Sequence, residues 1–258
     1  MSKADKRERQ RENRERAREE RERLIKRDKR LRALRGLLLV LVPVAVVFVV
    51  IALTRGDSSK KSTAPVGCTD KKPATTGAKN TAQKTPPITI DPKKSYTAVM
   101  DTTCGPVTIA LDAASAPQTV NSFVSLAKQG FYDGLTFHRV AKDFVVQGGD
   151  PKGDGKGGPG YTVPTEPPKN GYTKGSVAMA NSGPDTTGSQ FFFVLSDKGA
   201  KGLGGPPYLY SSLGNVTAGM NVVDKLGSLY NTDQNPSDPA TQKTSRPLYI
   251  FKVTIAES

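Results

Sequence analysis

The sequence predicts a mainly β domain, a closed barrel capped by two helices, carried behind a basic arm, one transmembrane helix and a disordered linker. Three observations predict it. Residues 37–53, LLLVLVPVAVVFVVIAL, carry no charge. Residues 55–92 are rich in Thr, Lys, Ser, Pro and Gly. From residue 93 onward, short apolar runs bounded by turn residues are interrupted by two stretches of helical period. The expected organisation is therefore arm 1–35, span 36–54, linker 55–92 and globular domain 93–258.

A chain of 258 residues suggests one or two domains. Its net charge of +14 is unevenly spread. Residues 1–35 hold 16 Lys/Arg against 8 Asp/Glu, residues 54–92 hold 7 against 3, and residues 93–258 hold 15 against 13. The charge belongs to the arm and linker. A nucleic-acid-binding domain carries its own basic face, so no nucleic-acid partner is expected. Two cysteines and one histidine leave little for a metal site, and no metal or other cofactor is expected.

The arm is rich in Arg and Glu, good helix formers, with i,i+3 and i,i+4 pairs around Glu8, Glu12, Glu15 and Glu19. No apolar seam precedes Leu24, which argues against a coiled coil. It reads as a solvated tail that can contact anionic lipid heads. The apolar run is at the short end of the about 17–25 residues a span needs. Pro43 inside it is tolerated better in a span than in a soluble helix. Ile51-Ala52-Leu53-Thr54-Arg55 is a poor cleavage site and the preceding region is long, so an uncleaved anchor is expected. The Lys/Arg excess before the run places the N-terminus in the cytoplasm and the domain outside, at the cell membrane. The linker has too little apolar content to fold alone. Cys68 lies 15 positions beyond the run, with Pro65 where a lipid-attachment motif wants Leu. In an oxidising compartment it is expected to pair with Cys104, tying the linker to the first strands; the other possibility is two independent thiols.

In the domain, Tyr96–Asp101 and Val107–Leu111 read as a hairpin around Cys104-Gly105-Pro106. Residues 116–129 read as a helix, with Pro117 in its first turn, Val120, Phe123, Val124 and Ala127 at helical spacing, and Gly130 ending it. Leu135–Val140, Phe144–Gln147, Ser176–Ala180, Phe191–Leu195 and Leu248–Ile255 read as strands. Gly148–Gly160 reads as loop, and Gly219–Leu229 as a second amphipathic helix. Short strands with two separated helices suggest the capped barrel. The Gly-rich GGDPKGDGKGGPG lacks the Gly-Lys-Ser/Thr ending of a phosphate loop, and Asp150 and Asp154 lack an EF-hand ligand series.

Two stretches carry the functional reading: FHRVAKDFVVQGGD from Phe137 to Asp150, and MANSGPDTTGSQFFFV from Met179 to Val194. In this order and spacing they resemble the cyclophilin family of peptidyl-prolyl cis-trans isomerases (rotamases, EC 5.2.1.8), from roughly Lys93 to the C-terminus. The resemblance implies an eight-stranded antiparallel barrel with a helix at each end. It also implies substrates that are proline-containing polypeptides.

The implied chemistry breaks no covalent bond. The barrier, about 18–20 kcal/mol, comes from amide resonance. A catalyst must favour the twisted amide, whose prolyl nitrogen is a better acceptor, using an apolar slot and a fixed donor. By resemblance, Arg139 is that donor. Phe144, Val145, Phe192 and Leu213 line the slot, Gln147 and Gln190 bond the substrate backbone and position Arg139, and Ala180 and Asn181 form the substrate-backbone edge. Of three consecutive phenylalanines, one must face opposite to its neighbours; the family pattern selects Phe192. Tyr210 stands where the family often has His, and Leu213-Gly214 where Phe-Gly is common. Leu203 or Leu209 replaces the pocket leucine. His138 reads as structural, since the reaction needs no proton shuttle.

The function expected is acceleration of X-Pro isomerisation during folding of exported proteins, a chaperone-like role at the membrane. A tethered binding module that grips proline segments without turnover is the alternative. A third reading makes the arm the functional part.

Overall fold

In the computed structural model, residues 67–74 and 83–258 are described. The basic arm and the apolar run lie outside them. Among the described residues no helix is long and apolar enough to cross a membrane.

The described residues form eight strands and three α-helices. They are β1 Tyr96–Thr102, β2 Gly105–Leu111, α1 Pro117–Lys128, β3 Thr136–Ala141, β4 Val145–Asp150, β5 Ser176–Met179, β6 Phe191–Val194, α2 Asp197–Gly202, β7 Ser212–Ala218, α3 Met220–Gly227 and β8 Ile250–Glu257. The strands form one sheet in the order β3-β4-β6-β5-β7-β2-β1-β8, and every neighbouring pair is antiparallel. The sheet curls until its edges meet. Thr136 bridges Tyr249, Phe137 N donates to Leu248 O at 2.9 Å, and Ile250 N donates to Leu135 O at 2.8 Å. The backbone of residues 135–137 is thus tied to that of residues 248–250, which shields this part of the two edges.

The main core fills the concave side. Val140, Val146, Val177, Phe137, Phe191 and Phe193 are at most 1% exposed. Phe191 meets Phe123, Phe137 and Phe193 edge-on at centroid distances of 6.1, 6.4 and 5.8 Å. Each buried phenylalanine contributes about 1.5–3 kcal/mol by area alone. α1 supplies Val120, Phe123, Val124 and Ala127 to this core, at the spacing read from sequence. The Glu166 carboxylate accepts from the N–H groups of Gln118 and Thr119 at 3.2 and 2.8 Å, satisfying donors that a helix N-terminus leaves unpaired.

Three features depart from the sequence reading. The eighth strand, β7 (SLGNVTA), has Gly214 and Asn215 inside it and register irregularities against both neighbours, so its alternation is broken. A third helix, α2, is six residues long and glycine-rich; the Ser196 hydroxyl caps it by accepting from Gly199 N. Gly148, Gly149 and Asp150 are strand, not loop. The glycines are demanded by close neighbours: a Cβ on Gly148 would lie 2.9 Å from Phe137 Cδ1, and one on Gly149 2.5 Å from Ser189 O and 2.9 Å from Phe191 Cδ1.

Part of the segment read as a disordered linker is seated on the domain. A disulfide joins Cys68 to Cys104. Beside it Thr69 N donates to Thr103 O at 2.9 Å, and Arg246 pairs with Asp70. Further along, Asn121 Oδ1 accepts from Thr89 N at 2.9 Å, its Nδ2 donates to Pro87 O at 3.0 Å, and Ile90 is buried. One buried asparagine thus satisfies backbone that composition alone assigns to solvent.

Candidate active site

The site is a cross-strand row on the convex face of β3, β4, β6 and β5. Strand side chains alternate between faces. The register sets Phe137, Gly148, Phe191 and Met179 in one row facing the core, and Arg139, Gln147, Phe192 and Ala178 in the next, facing out. A bulge creates this arrangement. Between Phe137 and Arg139 the β3–β4 register slips, leaving His138 as the extra residue. Such a bulge re-aims a side chain next to a site, and here it turns Arg139 onto the same face as Gln147.

A second apolar cluster floors this face: Ala141, Val145, Ala178, Phe192, Val194, Ala200 and Leu203, with Phe144, Tyr172, Ala180 and Tyr210 packed against it. Phe192 is separated from Phe191 and Phe193, which belong to the main core. Tyr210 meets the Phe192 ring edge-on at 5.3 Å. Its backbone is held by Tyr172, whose hydroxyl donates to Tyr210 O at 2.7 Å and accepts from Tyr210 N at 3.0 Å. Burial pushes the Tyr172 hydroxyl up to about 12, so it stays protonated and keeps donating. Leu203 is buried in the cluster, whereas Leu209 is 55% exposed. Leu213 is a correction. It is fully buried in the main core, because β7 turns it toward the interior, and it does not line the slot.

Arg139 is half-buried beside this floor, its guanidinium carbon 5.9 Å from the centre of the Phe144 ring. Nη1 donates to Gln147 Oε1 at 2.9 Å. Gln147 Nε2 donates to Gln190 Oε1 at 2.9 Å, and Gln190 Nε2 donates to the carbonyls of Gly155 and Gly157 at 3.0 and 2.9 Å. Those carbonyls belong to a loop that buried Asp150 organises by accepting from Lys152 N at 2.8 Å and Gly155 N at 2.5 Å. Desolvation lowers the Arg139 pKa, yet an arginine remains a cation at any physiological pH. Asn181 Nδ2 donates to Leu209 O at 2.7 Å, and Ala180 N donates to Gln190 O at 2.9 Å, so these two residues form one rim of the face.

His138 points elsewhere. Its Nδ1 is buried without a hydrogen-bond partner. Its pKa is lowered chiefly by burial, with Asp150 opposing and Arg139 reinforcing the shift. Gln242 is absent from the sequence reading. It is 3% exposed, and its Oε1 accepts from Arg139 Nε at 2.8 Å. It sits in the polar stretch QNPSDPATQKTS, which has no periodicity to single it out. Beside it a cavity of about 420 Å³ opens between Phe144, Lys142, Tyr230 and Gln234. Among the described residues no group of three His, Cys, Asp or Glu side chains gathers closely enough to hold a metal ion.

Comparison with known proteins identifies the fold's relatives. Residues 97–254 match the family model "cyclophilin type peptidyl-prolyl cis-trans isomerase/CLD". A peptidyl-prolyl cis-trans isomerase of Arabidopsis thaliana is 37% identical over 159 residues, 60% of this chain and 88% of that protein. Peptidyl-prolyl cis-trans isomerase B of Bacillus subtilis is 46% identical over 119 residues, 44% of this chain and 78% of that protein. Among solved structures, a Cryptosporidium parvum cyclophilin-type isomerase superposes with a TM-score of 0.55 at 26% identity, covering 64% of this chain and 99% of that one. The same protein in the presence of the dipeptide Ala-Pro gives 0.54 at 26% identity, covering 63% and 99%.

Proposed function

The chain belongs to the cyclophilin-type peptidyl-prolyl cis-trans isomerase family, and on that premise we propose that it isomerises X-Pro bonds of exported polypeptides through Arg139, from a membrane tether. The observation that carries the residue assignment is the row itself. A fixed cation and an apolar floor share one face, with Gln147 bonded to Arg139 and Phe192 next to Gln147 across the strands.

The geometry serves the reaction in the following way. The substrate proline ring lies on Phe192, between Phe144 and Tyr210, over the floor supplied by Val145. An extended backbone runs along Ala180 and Asn181 and bonds to the polar groups of that rim and of Gln147. Rotation about the X-Pro bond removes conjugation and leaves a lone pair on the prolyl nitrogen. Arg139 donates to that nitrogen in the twisted state only. An interaction made only at the top of the barrier accelerates the step rather than tightening ground-state binding. The donor is already oriented, so no reorganisation accompanies the rotation. No proton changes hands, which leaves His138 outside the chemistry.

The cellular role rests on the N-terminal third. An uncharged run at 37–53, a Lys/Arg excess before it and a polar linker after it support a single-pass anchor with the isomerase domain outside the cytoplasm. Uncatalysed isomerisation takes tens to hundreds of seconds, slow enough to limit folding of newly exported chains. The decisive experiment is turnover of a short X-Pro peptide by the full-length chain in mild detergent, beside Arg139→Ala. The expected result is fast isomerisation in the parent and a loss of roughly a hundredfold in the variant, the lower end for removal of a transition-state donor. Fast and equal rates in the two would remove Arg139 from the mechanism. Near-background rates in both would favour a proline-binding module instead. External protease digestion of intact cells tests the topology, and a protected domain would refute it.

A further inference from the structure

The amide of Gln242 is locked in one orientation. Its Nε2 donates to the carbonyl of Pro236 at 2.9 Å. Its own carbonyl accepts from Val140 N at 3.0 Å, seating its backbone against the residue that follows Arg139. A flipped amide would set its NH2 against the Arg139 Nε–H and its oxygen against the Pro236 carbonyl, two repulsive pairs in place of two hydrogen bonds. Oε1 therefore faces Arg139 Nε, at 2.8 Å. The guanidinium is planar and rigid, so one acceptor at Nε and another at Nη1 fix both its position and its plane.

Both acceptors are neutral. Among the described residues no carboxylate forms an ion pair with Arg139. A carboxylate at either position would hold the side chain equally well but would oppose its charge at short range, in a half-buried setting where charges act strongly. Gln242 also comes from a different part of the chain than Gln147, 103 residues beyond Arg139. The stretch that carries it is also braced by its own hydrogen bonds: Asn231 N donates to Lys243 O at 2.8 Å, Asn235 N to Thr241 Oγ1 at 2.7 Å, and Ala240 N to Asp238 Oδ1 at 3.0 Å.

We infer that Gln242 is a positioning residue for the isomerase reaction, holding Arg139 from the Nε side as an uncharged acceptor and completing with Gln147 a two-amide clamp. The inference rests on Arg139 being the donor to the prolyl nitrogen. Gln242 touches no substrate itself; it acts by keeping the Arg139 donors aimed while their charge stays unopposed.

The test uses full-length Gln242→Met and Gln242→Glu. Methionine keeps the length and volume of the side chain and removes the acceptor. Glutamate keeps the acceptor and adds a charge. Both are expected to lower kcat about tenfold, with KM moving less than about twofold, because the apolar floor and the backbone rim are untouched. Both variants remove the hydrogen bond to the Pro236 carbonyl and are expected to lower Tm, so turnover is read at a temperature well below melting, where a merely structural role for Gln242 would leave kcat unchanged. Either variant turning over within about twofold of the parent overturns the inference. So does a loss confined to KM. Should Gln242→Met fail to fold, Gln242→Glu and the Arg139 Nε–H resonance carry the test: in the parent that proton is expected to exchange slowly, and fast exchange would overturn the clamp. Arg139→Ala separates the two failures. If that variant retains full turnover, the reading of Arg139 falls, and the same resonance alone decides whether Gln242 holds the side chain.

Discussion

Replacing both Cys68 and Cys104 with alanine should destabilise the domain without slowing it. The two cysteines are 36 residues apart, and in the chain-entropy account a cross-link closing such a loop stabilises by about 4 kcal/mol at 25 °C. Neighbouring contacts add little. The Arg246–Asp70 pair lies at the surface, with the Asp70 side chain 93% exposed, where ion pairs contribute about 0–1 kcal/mol. The hydrogen bond from Thr69 N to Thr103 O contributes about 1 kcal/mol. For a domain of 150–250 residues each kcal/mol moves Tm by about 2–4 °C, so the double variant should melt roughly 8–16 °C below the parent. Thermal unfolding followed by near-UV circular dichroism, with and without reductant, measures this. Reductant should lower the parent's Tm toward that of the variant and leave the variant unchanged. Peptide isomerisation at 25 °C should be equal in both, because the disulfide joins the β1–β2 turn while the site lies on β3, β4, β6 and β5. A parent and double variant that melt within about 2 °C of each other would refute the reasoning that this bond constrains the unfolded chain.

Two further outcomes follow from the same physics. Gly149→Ala forces a Cβ to 2.5 Å from Ser189 O at a φ of +81°; backbone strain and overlap together should cost about 2–4 kcal/mol, read as a lower urea midpoint, and an unchanged midpoint would contradict the close packing of β4 on β6. His138 has its folded-state pKa depressed below the ordinary 6.5 by burial, so the unfolded chain binds its proton first. The stability contributed by keeping it neutral is present above about pH 6.5 and is lost as pH falls toward the folded-state pKa. Part of the acid destabilisation between pH 7 and 5 should vanish in His138→Gln while turnover retains its pH dependence. A turnover profile that changes in that variant would bring His138 into the mechanism.

What could be read from the sequence was whatever depends on near neighbours. The helix at Pro117–Lys128 shows because Val120, Phe123, Val124 and Ala127 repeat at its own period and Pro117 and Gly130 mark its ends. The opposite facing of Phe192 shows because a strand alternates. The apolar run at 37–53 and the basic arm before it are likewise legible as composition alone. Tertiary structure decided the rest, because the deciding contacts lie far along the chain. Gly148 and Gly149 look like loop until the rings of Phe137 and Phe191 close over them. Leu213 looks like a slot residue until the irregular register of β7 turns it into the core. The donor face of Arg139 depends on a bulge at His138, which no local propensity marks. Gln242 meets Arg139 across 103 residues, and hydrogen bonds between side chains so separated leave no periodic trace in either segment. Local periodicity therefore determined most of the elements, and the curl of the sheet decided the remaining ones and which of their side chains converge.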